Sequence, residues 1–155
     1  MRPFFPAQPA RILDVGAGSG RDAAWFFRLG YAVTCVEPDR RLWPISADWE
    51  ADGLPALSGL SGRFDLITIS AVWHLLPDHD WSAAFERLAD LAKPGARLIL
   101  SLRLPPMTGA DDVAALAQGA GWQLHDVCRR ASLQAGNRTA GVMWDWCVFA
   151  RVAPA

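Results

Sequence analysis

A chain of 155 residues with 52% hydrophobic content is long enough to bury a real core, and its net charge of −1 leaves no basic footprint for nucleic acid. No apolar run approaches the ~20 residues of a membrane span. Three cysteines (Cys35, Cys128 and Cys147) form no CxxC pair and no even framework, so free thiols in a reducing cytoplasm are expected rather than disulfides, and no metal site. The first ten residues hold three prolines and lack the apolar core of a signal peptide, so neither a helix nor a secretory leader is expected there. The chain reads as one cytoplasmic domain over residues 1–155.

Arg11 to Leu29, RILDVGAGSGRDAAWFFRL, reads as a short buried strand (Ile12, Leu13, Val15), a glycine turn (Gly16, Gly18, Gly20) and a helix with Ala23, Ala24, Phe27 and Leu29 facing inward. Glycines suit a tight turn that a ligand must approach without meeting a Cβ. The following helix aims its free N–H groups and positive dipole end at that ligand. Asp14 falls at the carboxyl end of the strand, where an open α/β sheet has its binding crevice. A dinucleotide fingerprint, G-x-G-x-x-G/A, needs a small residue where this chain has Arg21. Asp14 would also repel a pyrophosphate, whereas it attracts a cationic, amino-acid-bearing ligand. The run LDVGAGSG resembles motif I of the class I S-adenosylmethionine (SAM) methyltransferases, and the resemblance extends over nearly the whole chain.

Gly30 closes the helix and Tyr31–Glu37 forms a second strand. Glu37 lies about 20 residues beyond the first glycine, where an acid binds the ribose diol in both dinucleotide and SAM sites. From Pro38 to Arg63 the helical period fails. The family resemblance implies a full helix and a third strand there, so the second crossover helix is expected to be shortened or lost. Asp48-Trp-Glu-Ala-Asp52-Gly-Leu-Pro55 resembles the segment whose acid or adjacent backbone meets the adenine, with Asp52 as first choice and Asp48 as rival.

Arg63–Ala71 is a nearly continuous apolar and β-branched run, as a central parallel strand should be. Ser70–Pro77 resembles the family's motif IV loop. Asp78 or Asp80 then caps a helix burying Trp81, Ala84, Phe85, Leu88 and Leu91, which Lys93-Pro94-Gly95 stops before a strand over Arg97–Leu102. Asp111 opens a short helix (Val113, Leu116, Ala117). Trp122–Arg130 and Val142–Ala150 are strands joined by a polar loop without a helix, and so should pair antiparallel.

The resemblance implies an α/β fold: a three-layer sandwich whose seven-stranded, mostly parallel sheet has the order 3-2-1-4-5-7-6, with strand 7 antiparallel. It implies transfer of a methyl group from SAM, leaving S-adenosylhomocysteine (SAH), to a small-molecule acceptor. Carried over residue by residue, it implies cofactor contacts from Asp14, Gly16, Ala17, Gly18, Arg21, Glu37, Pro38, Asp52 and Ala71. A base is needed only if the acceptor must lose a proton. His74 is best placed, ahead of His79, Asp78 and His125, and its alternative is packing beside Trp73. Arg103 either meets an acidic acceptor or is solvated or ion-paired.

Trp122, Trp144 and Trp146 are expected in the core, while Trp25 and Trp73 lie where an aromatic acceptor or the adenine could stack. With no covering helices before the first strand and little between residues 38 and 63, the cleft should be open. Either a homodimer buries Trp43 and Trp49, or both fold back onto their own sheet. Two other functions compete: a SAM-binding but non-catalytic accessory module, and a nicotinamide-dependent oxidoreductase, which Arg21 and the terminal hairpin disfavour.

Overall fold

In the computed structural model, residues 2–43 and 46–152 are described. Seven strands form one sheet in the order β3-β2-β1-β4-β5-β7-β6. The strands are β1 (Arg11–Val15), β2 (Ala32–Val36), β3 (Asp48–Glu50), β4 (Phe64–Ile69), β5 (Ala92–Leu104), β6 (Trp122–Ala131) and β7 (Met143–Arg151). β1 to β5 run parallel, and β7 is antiparallel to both β5 and β6. This is the expected sheet order and strand sense. The central strands are buried along most of their length, as parallel strands covered on two faces must be.

The helices are α1 (Arg21–Arg28), α2 (Trp81–Asp90), α3 (Asp111–Gly119) and α4 (Ala135–Thr139). They divide unequally between the faces. α2 and α3 bury Ala84, Phe85, Leu88, Val113 and Ala117 against Leu13, Ile67, Leu98, Leu100 and Phe149. On the other face, α1 sets Ala23 and Phe26 against Ile12, Val33, Leu66, Ile99 and Val148, with Phe4, Phe5 and Trp25 packed around them. Among the described residues, the segment between β2 and the three-residue β3 holds a 3-10 turn, Arg40–Leu42, and no α-helix. Among the described residues, no helix is long and apolar enough to cross a membrane.

Several local expectations are corrected. Phe26, not Phe27, is the inward aromatic of α1, because Ala23 and Phe26 lie three apart on the sheet-facing stripe while Phe27 turns outward. Leu116 likewise leaves the buried face of α3. Lys93-Pro94-Gly95 does not end before β5 but lies within it. The pairing jumps from Phe64–Ala92 to Leu66–Arg97, so the tripeptide bulges out of the ladder. Asp80 occupies the N-cap position of α2, yet its carboxylate makes no capping bond because Asp78–Asp80 is itself a 3-10 turn. The loop between β6 and β7 contains α4, five residues long, without altering the antiparallel pairing.

The tryptophans also redistribute. Trp122 and Trp73 are fully buried, so Trp73 offers no face to a ligand; its ring packs on Phe85 at 4.6 Å. Trp144 and Trp146 are only half-buried. Trp43 and Trp49 stack on each other at 5.2 Å and 12°, and the Trp43 indole N–H donates to the Glu37 carbonyl at 3.2 Å. They fold back onto their own chain.

The inward assignment of Phe26 is checked by urea denaturation of two neighbouring variants. Phe26→Ala should cost about 3–5 kcal/mol by opening a cavity, whereas Phe27→Ala should cost about 1 kcal/mol or less.

Candidate functional site

The site begins at the turn between β1 and α1. The N–H groups of Gly16 and Ala17 both donate to the Val36 carbonyl, at 2.8 and 2.9 Å, which fastens the turn to the end of β2. The Gly18 N–H donates to Glu37 Oε2 at 3.1 Å, while Glu37 Oε1 accepts from the Asp39 N–H at 3.0 Å. Gly16 and Gly18 both have positive φ, +69° and +54°, but their surroundings differ. A Cβ on Gly16 would collide with the Val72 side chain, whereas a Cβ on Gly18 would meet nothing within 4 Å. Gly16 is thus required by the protein's own packing, and Gly18 fronts open space.

Asp14 is buried beneath this turn. Its Oδ1 accepts from the Thr68 hydroxyl at 3.0 Å, and its Oδ2 is buried without a partner. Loss of water pushes the carboxyl up to about 6, helped by the nearby Asp22 charge and opposed by the Thr68 hydrogen bond and by Arg21. A half-satisfied buried carboxyl is a preformed place for a cation.

The loop after β4 forms the facing wall. Ala71 takes a left-handed conformation, φ +59°, that a non-glycine residue adopts only when held there. Its N–H donates to Ser101 Oγ on β5 at 2.7 Å, which supplies that hold. The next residues carry Val72 over Gly16 and His74 toward β7. The His74 ring meets Trp144 edge-on at 5.6 Å, and its Nδ1 is buried without a partner. Burial and then the Arg103 charge hold His74 below its ordinary range, which favours the neutral ring.

Three adjoining hollows follow from these walls. One of about 240 Å³ is lined by Gly16, Glu37, Pro38, Asp52 and Leu54, with Val72, Leu75 and Leu76 opposite. A second, about 210 Å³, is lined by Asp14, Gly16, Ala17, Arg21, Ser70 and Ala71. A third, about 490 Å³, shares Arg21, Ser70 and Ala71 with the second and adds His74, Ser101, Arg103, Arg130, Trp144 and Trp146. Gly16 joins the first two, and the β4 loop joins the last two.

Of the anticipated cofactor residues, Asp14, Gly16, Ala17, Arg21, Glu37, Pro38, Asp52 and Ala71 line the first two hollows. Gly18 adjoins them through its bond to Glu37. Asp52 reaches a hollow, but its carboxylate also accepts from the Gly53 and Gly59 N–H groups at 2.7 and 2.8 Å. Asp48 does not reach one: it sits in β3 and accepts from the Thr34 hydroxyl at 3.0 Å. His79 and His125 lie elsewhere, both exposed, His79 beside Asp80 and His125 against Phe4. Arg21 pairs with Asp22 at 2.9 Å. The sequence reading missed Arg130 and the exposed faces of Trp144 and Trp146. The alternation along β7, with Cys147 and Phe149 on one face and Trp144, Trp146 and Val148 on the other, is the signal that separates them.

A family model described as a methyltransferase domain matches residues 2–146. The chain belongs to this family. It is 29% identical over 154 residues to a ubiquinone biosynthesis O-methyltransferase of Xanthomonas axonopodis pv. citri, covering 88% of this chain and 64% of that protein. The chain thus spans under two thirds of the length of that curated relative. Its fold matches a SAM-dependent methyltransferase of Methanosarcina mazei at a TM-score of 0.76 and 16% identity, over 99% of this chain and 97% of the other. It also matches the 1,6-didemethyltoxoflavin-N1-methyltransferase of Burkholderia thailandensis, solved with its acceptor and SAH bound, at 0.73 and 23%, over 94% and 72%. These are class I SAM-dependent methyltransferase folds, and the domain's sheet order is theirs.

Three variants test the methyltransferase turn. An Asp14 carboxyl raised to about 6 binds its proton more tightly folded than unfolded, so it destabilises the fold once pH rises above its unfolded value near 3.8. Asp14→Asn should therefore raise stability by about 1–3 kcal/mol above pH 6, a gain that disappears toward pH 4. SAH affinity, measured by calorimetry, should rise with pH through about 6 in the wild-type protein and be weak and pH-independent in Asp14→Asn. Separately, Gly16→Ala should lower the melting temperature markedly through its clash with Val72. Gly18→Ala should cost only about 1–2 kcal/mol of backbone strain yet lose most SAH binding.

Proposed function

We propose that this domain transfers a methyl group from SAM to a small-molecule acceptor. The observation that carries the reading is the unpartnered Asp14 Oδ2 under a glycine turn, set within a run of hollows that ends at a neutral His74. The donor set fits the cofactor's three parts. Asp14 Oδ2 suits its ammonium group, and the space before Gly18 admits its backbone. Glu37 retains acceptor lone pairs for the ribose hydroxyls beyond its two backbone bonds. Pro38, Leu54, Val72 and Leu76 give the adjoining hollow apolar walls suited to a flat base.

When bound, SAM supplies a methyl group already activated by the sulfonium. The chain's task is to align the acceptor and keep water away. Arg21, Ser70 and Ala71 stand at the junction between the second and third hollows, where that alignment has to occur. His74 lines the third hollow, and its neutral ring can take up the acceptor's proton at a ring nitrogen. The name of the Xanthomonas relative supports transfer to oxygen, and a hollow of about 490 Å³ supports a small acceptor.

The test combines calorimetry with a transfer assay using labelled SAM. SAH should bind and NAD should not. His74→Ala should leave SAH affinity within about twofold while lowering turnover about 10²–10⁴-fold. Binding of NAD in place of SAH would overturn the cofactor reading. Turnover unaffected in His74→Ala would remove His74 as a base.

A further inference from the structure

The third hollow carries information about the acceptor that the family does not. Its lining includes Arg21, Arg103 and Arg130 and no carboxylate. Arg21 is already neutralised by Asp22. Arg103 and Arg130 make no ion pair among the described residues: Arg103 donates to the Pro105 carbonyl at 2.6 Å and Arg130 to the Arg129 carbonyl at 3.1 Å. Arg130 also borders a neighbouring cavity that contains Asp22 and Asp126. Arg103 borders the third hollow, whose lining holds no carboxylate, so its charge is the less compensated of the two.

The sheet register arranges these groups. Arg103 on β5 is directly opposite Trp144 on β7, and Trp144 is directly opposite Arg130 on β6. One rung deeper, Ser101 faces Trp146. A cation, an indole and a cation therefore stand in a row across three strands, on one face of the sheet, with the His74 ring edge-on to the central indole. Half-buried indoles offer flat apolar area to a ring. Guanidinium groups beside them offer bidentate donors to a planar anion.

We infer that the acceptor is an aromatic carboxylate, its ring laid against Trp144 and Trp146 and its acid group held by Arg103 with Arg130. The inference rests on the third hollow being the acceptor site of the proposed methyl transfer. It adds a specificity role for Arg103 and Arg130 that is separate from the chemistry at His74. A cationic acceptor would meet two charges of its own sign that make no ion pair among the described residues, and a neutral one would leave them unused. The neutrality of His74 agrees with this arrangement, since the same Arg103 charge that attracts the acid disfavours a second positive group.

The test uses the SAH-loaded protein and matched ligands that differ only in the head group. These are 4-hydroxybenzoate, 4-hydroxybenzyl alcohol and 4-hydroxybenzylamine, with the corresponding three naphthalene compounds. Calorimetry should show the acid binding about tenfold or more tighter than the alcohol on at least one ring, and the amine weakest. Arg103→Gln should erase that preference while leaving SAH and alcohol affinities within about twofold. Trp144→Leu should weaken acid and alcohol alike. SAH binding together with equal affinity for acid and alcohol on both rings overturns the acceptor inference and leaves the methyltransferase reading standing. So does an Arg103→Gln variant that keeps the acid preference. Failure of the wild-type protein to bind SAH at all overturns the cofactor reading, and the acceptor inference falls with it.

Discussion

The Val36 carbonyl accepts two N–H groups at once, from Gly16 and Ala17, and the rest of the site hangs on that strap. It fixes the glycine turn to the end of β2, so Glu37, the next residue, is delivered beside Gly18 and bonds its N–H. The turn in turn receives Val72, whose side chain fills the space a Cβ on Gly16 would need. Through Val72 the constraint passes to the whole loop after β4, and so to Ala71 and His74. Three segments distant in sequence are held by one carbonyl and one missing side chain. No flexible hinge is needed to bring the first hollow and the third to the same edge of the sheet.

Two ionisable groups at that edge are pushed toward their neutral forms by the same physical cause. Loss of water raises the Asp14 carboxyl and lowers the His74 imidazole, and each keeps one buried polar atom without a partner. Such atoms cost stability in the empty domain. A ligand that brings an ammonium to the first and a donor to the second offsets that cost, which couples binding to order in the site.

The two faces of the sheet explain why the third hollow exists. α2 and α3 close one face with a continuous apolar core, while α1 is left to cover the other with help from Phe4, Phe5 and the Trp43–Trp49 stack. Thin cover over this face of β5, β7 and β6 leaves Trp144 and Trp146 half-buried. The open face is aromatic and cationic rather than sealed. That is the composition of a binding surface and not of a packing defect.

The sequence by itself determined the strands and the antiparallel end of the sheet. Apolar runs such as Phe64–Ile69 fit only central parallel strands, the glycine turn after Val15 marks the crevice, and two adjacent late strands without room for a crossover helix have to pair antiparallel. It also singled out Asp14, Glu37 and His74, because each carries a titratable group at the end of a strand or in the loop just beyond. Tertiary structure alone decided which atoms those residues leave free. That Asp14 Oδ1 finds a donor in Thr68, distant in the chain, while Oδ2 finds none is encoded by no local pattern. It likewise decided the side of each tryptophan. Trp73 and Trp144 look alike as aromatic residues in apolar surroundings, yet Phe85 and α2 bury the first, while the second is left half-buried between two arginines. Local periodicity tells a side chain which face of a strand to take; only the packing of remote elements tells it whether that face is covered.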